Sequence, residues 1–187
     1  MIPAELSVTS DDLFSLGTDP GTTLVVGGGY IAVECAGFLR GIGKEVYLAN
    51  RSSFLRAMDS DMSERIVEEL QEEGVKTLTK TNIVDAKAVE GGRKEVTLKV
   101  GEETKTITVD TILVAIGRDS NPAGLGADNA GVNYTKFGKI VGRDEEPERT
   151  SVDNIYAVGD IVLGVPELMP VAQKSGKLLA QRIYHRL

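Results

Sequence analysis

The spacing of apolar residues changes several times along this chain, and each change marks an element. Thr22 to Val26 is a continuous apolar run, the pattern of a strand buried on both faces. From about Tyr30 to Arg40, Ile31, Cys35, Phe38 and Leu39 recur at helical intervals, and Gly41 and Gly43 close the element. Glu45 to Leu48 is a second short strand. Strand, helix and strand in this order predict a βαβ unit with parallel strands and the helix on one face. Asp59 or Ser60 is placed to cap a second helix from Asp61 to Glu73. Its apolar stripe is Met62, Ile66, Val67 and Leu70. Gly74 ends that helix, and Val75 to Leu78 returns as strand.

Between Ile83 and Val109 the period becomes two. Val96, Leu98 and Val100 share one face and Thr97 and Lys99 the other, with turns at Gly91-Gly92 and Gly101-Glu102. This predicts an antiparallel excursion of two or three strands. Thr111 to Ile116 is again a continuous strand. At the N-terminal end, Ser10-Asp11-Asp12 offers a cap for a short helix through Leu13 to Leu16, and Gly17 with Pro20-Gly21 then breaks the chain. Gly117 to Pro122 is the candidate boundary, dividing a nucleotide-binding domain at 1–118 from a partial domain at 119–187. The second region is expected to hold a strand at Ile155 to Val158, a turn at Gly159-Asp160 and a helix from about Pro170 to Tyr184.

The turn after the first strand carries the chemistry. Gly27-Gly28-Gly29-Tyr30-Ile31-Ala32 fits the dinucleotide fingerprint with alanine in the third position, between a strand and a helix, as that fingerprint requires. Gly27 permits the tight turn, Gly29 lets a pyrophosphate approach the backbone, and Ala32 lets helix and strand lie close. Free amides and the positive dipole end of the helix face the phosphates. An NAD site would place an acid about 20 residues on, at the end of the second strand. Asn50 stands there, followed by Arg51, Ser52 and Arg56, and two guanidinium groups with a hydroxyl between them suit a 2′-phosphate. NADPH is the predicted ligand. Tyr30 and Glu34, four apart, share a helix face beside the expected nicotinamide end. Spacing alone leaves a packing tyrosine and a solvated glutamate equally open.

Composition narrows the picture. At 187 residues the chain can bury a core without staples, and a single cysteine, Cys35, excludes an internal disulphide and fits a reduced, cytoplasmic setting. Cys35 itself reads as a small core residue and His185 as surface. A formal charge of -7 disfavours nucleic acid, and the absence of a long apolar run disfavours a membrane. The acidic runs Glu102-Glu103 and Asp144-Glu145-Glu146 read as solvated faces.

Several stretches together, "SDDLFSL", "TLVVGGGYIAVECAGFL", "RSSFLRAMDSDM", "LVAIGRDS", "IYAVGDI" and "MPVAQKSGKLLAQRIY", resemble the pyridine nucleotide-disulphide oxidoreductases, and among them the high-molecular-weight thioredoxin reductases. The resemblance implies a Rossmann-type α/β domain that binds NADPH through Gly27, Gly29, Tyr30, Ile31, Arg51, Ser52 and Arg56, followed by part of an FAD-binding domain. Tyr30 matches the residue that covers the flavin ring and swings aside for nicotinamide, and Glu34 a carboxylate that pairs with a lysine near the flavin. Ile116 and Gly117 fall where the family chain passes the bound NADPH. Gly159 and Asp160 match the turn whose acid holds the FAD ribitol. Glu167, Leu168 and Met169 precede a helix aimed at the flavin pyrimidine, and Met169 stands where the family usually has threonine. The parent enzyme implied is a homodimer that passes electrons from NADPH through FAD to a protein dithiol and on to thioredoxin. The chain looks like a middle slice of such an enzyme, without an upstream FAD segment and Cys-x4-Cys pair and without the interface domain. FAD retention by this chain alone is therefore not expected, nor is activity. Glutathione reductase is the neighbouring alternative, and a stand-alone NADPH-binding or interaction module is the alternative from another class.

Overall fold

The computed structural model describes residues 2–185 and divides into two compact units, Met1–Gly117 and Arg118–Leu187. The first unit is built on a four-stranded parallel sheet. Its strands are β1 (Thr23–Val26), β2 (Val46–Ala49), β3 (Lys76–Leu78) and β7 (Thr111–Val114), ordered β3-β2-β1-β7. Crossovers α2 (Tyr30–Gly41) and α3 (Ser60–Glu72) join the first three strands. The excursion between β3 and β7 is a separate antiparallel sheet of β4 (Thr81–Ala88), β5 (Lys94–Val100) and β6 (Glu103–Val109).

Period-two alternation along the parallel strands sends successive side chains to opposite faces, and each face has its own cover. Val25, Val46, Leu48 and Leu113 pack with Ala32, Val33, Cys35, Ala36 and Leu39 of α2 and with Val67 and Leu70 of α3. Leu24, Ala49 and Ile112 pack instead against Ala86, Val96, Leu98 and Val109, the apolar face of the antiparallel sheet. The unit is thus helices, parallel sheet and antiparallel sheet in three layers, and the excursion exists because the second face of the parallel sheet must be buried. A short bridge adds to the edge: Val8 pairs with Leu113 in parallel, its N–H donating to the Ile112 carbonyl at 2.9 Å.

Several expectations need correction. The first helix, α1, spans Ser10–Leu13 and not Leu13 to Leu16, and its start is held by Asp12, whose carboxylate accepts from the Thr9 N–H and hydroxyl. Within α3 the expected stripe is only half right. Val67 and Leu70 pack inward, whereas Met62 and Ile66 are exposed and Ser63 is buried. Ser63 tolerates burial because its hydroxyl donates to the carbonyls of Asp59 (2.7 Å) and Leu55 (3.3 Å). Asp59 caps the helix by accepting from the Met62 N–H. Phe38, expected on the apolar face of α2, is exposed and meets the Phe14 ring at a 5.0 Å centroid distance. The strand expected at Ile155 to Val158 is a single bridge of Tyr156 to Arg149, since among the described residues no other segment pairs with it along that run. Glu146 is half-buried and not merely solvated, because it pairs with Arg149 at 3.2 Å.

The second unit has a small core of Ala127, Val132, Ile140, Ala157 and Val162. It contains α4 (Ala127–Ala130), isolated bridges that tie Ile140 to Tyr134 and Val162, and the helix α5 (Met169–His185), in which Leu179 alone is buried.

Four surface carboxyls are held below their usual range. Asp12 is lowered by the Thr9 N–H and hydroxyl, Asp19 by Lys44, Glu45 by Lys76 and Asp153 by Arg143. A carboxyl whose folded pKa lies below its unfolded value of about 4 stabilises the fold fully above that value, and the contribution is lost as pH falls through the folded pKa. Melting temperature should therefore fall on acidification below about pH 4. Since the pairs of Asp19, Glu45 and Asp153 with their cations are exposed, their part of the drop should shrink in high salt and flatten in Asp153→Asn, as thermal melts between pH 6 and 3 at two ionic strengths would show.

Candidate functional site

In an open parallel sheet, ligands bind beyond the carboxyl ends of the strands, at the point where the strand order reverses. In the first unit that point lies at β1, whose neighbours are β2 on one side and β7 on the other. Gly27–Gly29 leave β1, Asn50 and Arg51 leave β2, and Ala115 to Gly117 leave β7, all at this one edge.

The three glycines have different local duties. Gly27 has φ +150°, and a Cβ there would lie 2.2 Å from the Ala115 carbonyl oxygen, so the turn is pressed against the end of β7. Gly28 faces Asn50, whose Nδ2 would be 2.0 Å from an added Cβ. At Gly29 nothing stands within 4 Å of an added Cβ, so the space before it is open. Gly29 caps α2 without any side-chain hydrogen bond, which leaves the first amides of the helix free to meet an anion. Ala32 is buried against the turn, its Cβ 3.1 Å from the Cβ position of residue 27, and a larger residue would push α2 away from β1.

Residues 51–56 form a loop docked on that turn. The Leu55 N–H donates to the Gly28 carbonyl at 2.7 Å, and Phe54 and Leu55 are buried in the helical-side core. Leu55 takes φ +51°, a left-handed conformation that costs a non-glycine residue about 1 kcal/mol and persists here because burial and the hydrogen bond hold it. Arg51 and Arg56 project from either side of this anchor and are exposed. Among the described residues neither side chain has a hydrogen bond or ion pair, whereas Arg93, Arg143, Arg149 and Arg182 each meet an acid. Ser52 is half-buried between them. A cavity of about 350 Å3 opens between the loop and α3, lined by Phe54, Leu55, Met58 and Val67 with Arg56 and Glu64.

Tyr30 and Glu34 lie on the exposed face of α2, and Ile31 is half-buried. Glu34 makes no hydrogen bond or ion pair among the described residues. Cys35, one residue on, is buried, and burial first and the Glu34 charge second push its thiol up. Ile116 is exposed, and Gly117 has φ +148°.

Gly159, Asp160, Glu167, Leu168 and Met169 belong to the second unit. Gly159, at φ +78°, lets the turn lie against α5, since a Cβ there would be 3.1 Å from the Ala172 Cβ. The Lys139 ammonium donates to the Asp160 carbonyl and to Glu167 at 2.7 Å, so one side chain gathers both ends of this loop. Leu168 and Met169 are exposed at the start of α5. The first unit therefore unites Gly27, Gly29, Ile31, Arg51, Ser52, Arg56, Ile116 and Gly117 at one sheet edge, and the second unites Gly159, Asp160 and Glu167. Leu55, Ala115 and Lys139 were not legible as site residues. Each acts through a partner distant in sequence, which no local spacing announces; only the apolar pair Phe54-Leu55 between two arginines hinted at an anchor.

The chain has relatives among known proteins. The profile of a family described as pyridine nucleotide-disulphide oxidoreductase matches residues 4–176. The chain is 43% identical over 180 residues to thioredoxin reductase 2, mitochondrial, of Drosophila melanogaster, covering 96% of this chain and 35% of that protein. It is 39% identical over 180 residues to thioredoxin reductase of Plasmodium falciparum isolate 3D7, covering 96% of this chain and 28% of that one. Among solved structures, the Cu(II) complex of the HOCl-induced flavoprotein disulfide reductase RclA from Escherichia coli superposes with a TM-score of 0.79 at 27% identity, covering 94% of this chain and 38% of that chain. The chain thus spans about a third of the length of these relatives.

Two outcomes follow from the local geometry. Gly27→Ala should lower the melting temperature sharply, because the obstructing atom is backbone, while Gly29→Ala should cost no more than about 1 kcal/mol; comparable melts for the two would contradict the assignment. Cys35 in the native chain should resist alkylation at pH 8 and react once the chain is unfolded, as mass spectrometry of iodoacetamide-treated samples would report.

Proposed function

The chain belongs to the pyridine nucleotide-disulphide oxidoreductase family, and from that premise we propose that its first unit is the NADPH-binding domain of a flavin-dependent thioredoxin reductase. The observation that carries this reading is the pair of unpartnered guanidinium groups, Arg51 and Arg56, on a loop bonded to an uncapped helix start. Free amides and open space at Gly29 suit a pyrophosphate, and two unpaired arginines in a chain of net charge -7 suit a further phosphate on the adjoining ribose. The residues present therefore fit NADPH better than NAD, for which an acid would stand at position 50.

In this reading Gly27 to Gly29 and the first turn of α2 hold the pyrophosphate, with Ile31 in that turn. Arg51, Ser52 and Arg56 grip the 2′-phosphate. Tyr30 and Glu34 face the nicotinamide side, and Ile116 and Gly117 border the nucleotide where β7 ends. The second unit is part of an FAD-binding domain, with Gly159 and Asp160 at the ribitol and Glu167, Leu168 and Met169 leading into α5, whose N-terminal dipole favours negative charge on the flavin pyrimidine. Bound together, the two cofactors supply hydride transfer and its relay to a disulphide. The protein's part is to bind, orient and shield them.

Thioredoxin is the partner of the full-length enzyme in this reading, as relatives described as thioredoxin reductases support. In the same reading the full-length enzyme is a cytoplasmic homodimer without nucleic-acid or membrane partners. Among the described residues no helix is long and apolar enough to cross a membrane. Glutathione reductase remains the neighbouring assignment for the parent. This chain has one cysteine, buried and with its thiol pushed up, so it holds no dithiol and binds nucleotide without relaying electrons.

Calorimetric titration with NADPH and NADH tests the proposal. The chain should prefer NADPH, and Arg51→Ala and Arg56→Ala should each weaken NADPH binding by about tenfold or more, the worth of a charge-assisted hydrogen bond, while leaving NADH unchanged. Equal affinity for both nucleotides, insensitive to either substitution, would refute it.

A further inference from the structure

Building on the NADPH reading, we propose that Asn50 is a positioning residue whose side-chain amide sets the 2′-phosphate loop, and that specificity here requires an amide in place of any acid. Asn50 ends β2 and is fixed by its main chain. Its N–H donates to the Leu78 carbonyl at 3.0 Å, and its carbonyl accepts from the Thr81 N–H at 2.9 Å. From that rigid base the side chain holds the three residues that follow. Nδ2 donates to the Ser53 carbonyl at 2.8 Å and reaches the Ser52 hydroxyl at 3.5 Å, while Oδ1 accepts from the Arg51 N–H at 2.8 Å. The orientation is fixed by the partners, since the reversed amide would set donor against donor at Arg51 and acceptor against acceptor at Ser53.

The same amide touches the glycine turn. A Cβ at Gly28 would lie 2.0 Å from Nδ2, and the Gly28 carbonyl accepts from the Leu55 N–H, so turn and loop are joined on both sides of Arg51 to Phe54. Phe54 and Leu55 anchor their part of the loop by packing, whereas Arg51, Ser52 and Ser53 lie outside the core and are held by the amide. The position demands one donor and one acceptor together. A carboxylate offers acceptors only, and would confront the Ser53 carbonyl oxygen at hydrogen-bonding distance. This runs against the usual rule, in which an acid at the strand end turns a site toward NAD by binding the 2′-hydroxyl. Here an acid would release the loop before it could serve a new ligand.

The test uses the 187-residue chain and two small probes, 2′,5′-ADP and 5′-AMP, whose affinity ratio isolates the 2′-phosphate contribution. Wild-type chain should favour 2′,5′-ADP, and Asn50→Ala, which adds no charge, should lower the ratio by about tenfold, with Asn50→Asp lowering it further. Asn50→Asp should bind 5′-AMP no tighter than wild type. Gly28→Ala should lower the ratio in the wild-type background, because its methyl displaces the amide, and should change little in an Asn50→Ala background. Because the two probes differ only in the 2′-phosphate, a loss of fold stability alone would not move their affinity ratio. A wild-type ratio near one would overturn the nucleotide reading itself. A wild-type preference that survives in Asn50→Ala, a gain of 5′-AMP affinity in Asn50→Asp, or additive effects of Gly28→Ala and Asn50→Ala would overturn the role of Asn50 and leave the nucleotide reading standing.

Discussion

Where β1 leaves the parallel sheet, its main chain lies so close to the last carbonyl of β7 that no side chain fits between them, Gly27 against Ala115. Because the chain turns there without spacing, α2 begins at Tyr30, three residues after the turn starts, and the first helical amides stand at the sheet edge. Because Gly28 has no side chain, Asn50 reaches the turn and the loop after β2 docks on it. Because Gly29 is open, the space before those amides stays clear. A steric constraint among backbone atoms thus determines where positive dipole and guanidinium charge converge.

Much of the first unit was legible because its sheet is buried on both faces. Continuous apolar strands, a helix with buried alanines and a period-two excursion each impose a distinct spacing. Less was legible where a tertiary partner overrides the pattern. Ser63 replaces Met62 and Ile66 on the inner face of α3 because two carbonyls satisfy its hydroxyl. Ile155 to Val158 has strand composition but gains a single bridging partner. The same division holds at the site. Glycines and arginines are local signals, readable from their order. The hold on the arginine loop, by contrast, depends on a left-handed leucine and on an amide reaching forward across three residues, neither of which leaves a trace in periodicity.

The two units differ in how they are stabilised. The first has two large apolar clusters on either side of one sheet, whereas the second relies on one small apolar cluster, isolated bridges and polar ties such as those of Arg143, Arg149 and Lys139. Phe137, Leu163, Leu168 and Met169 remain exposed there. The loop from Asp160 to Glu167 is held at both ends by Lys139.

Val8 has a consequence out of proportion to its single bridge. By pairing with Leu113 it occupies the outward rim of β7, the strand that would otherwise present a bare row of donors and acceptors next to a fully apolar core. The segment thereby satisfies two groups on that rim, the Ile112 carbonyl and the Val114 N–H. Fusions or deletions that pull it away would bare those two groups on the rim of β7, the kind of edge to which another strand can add.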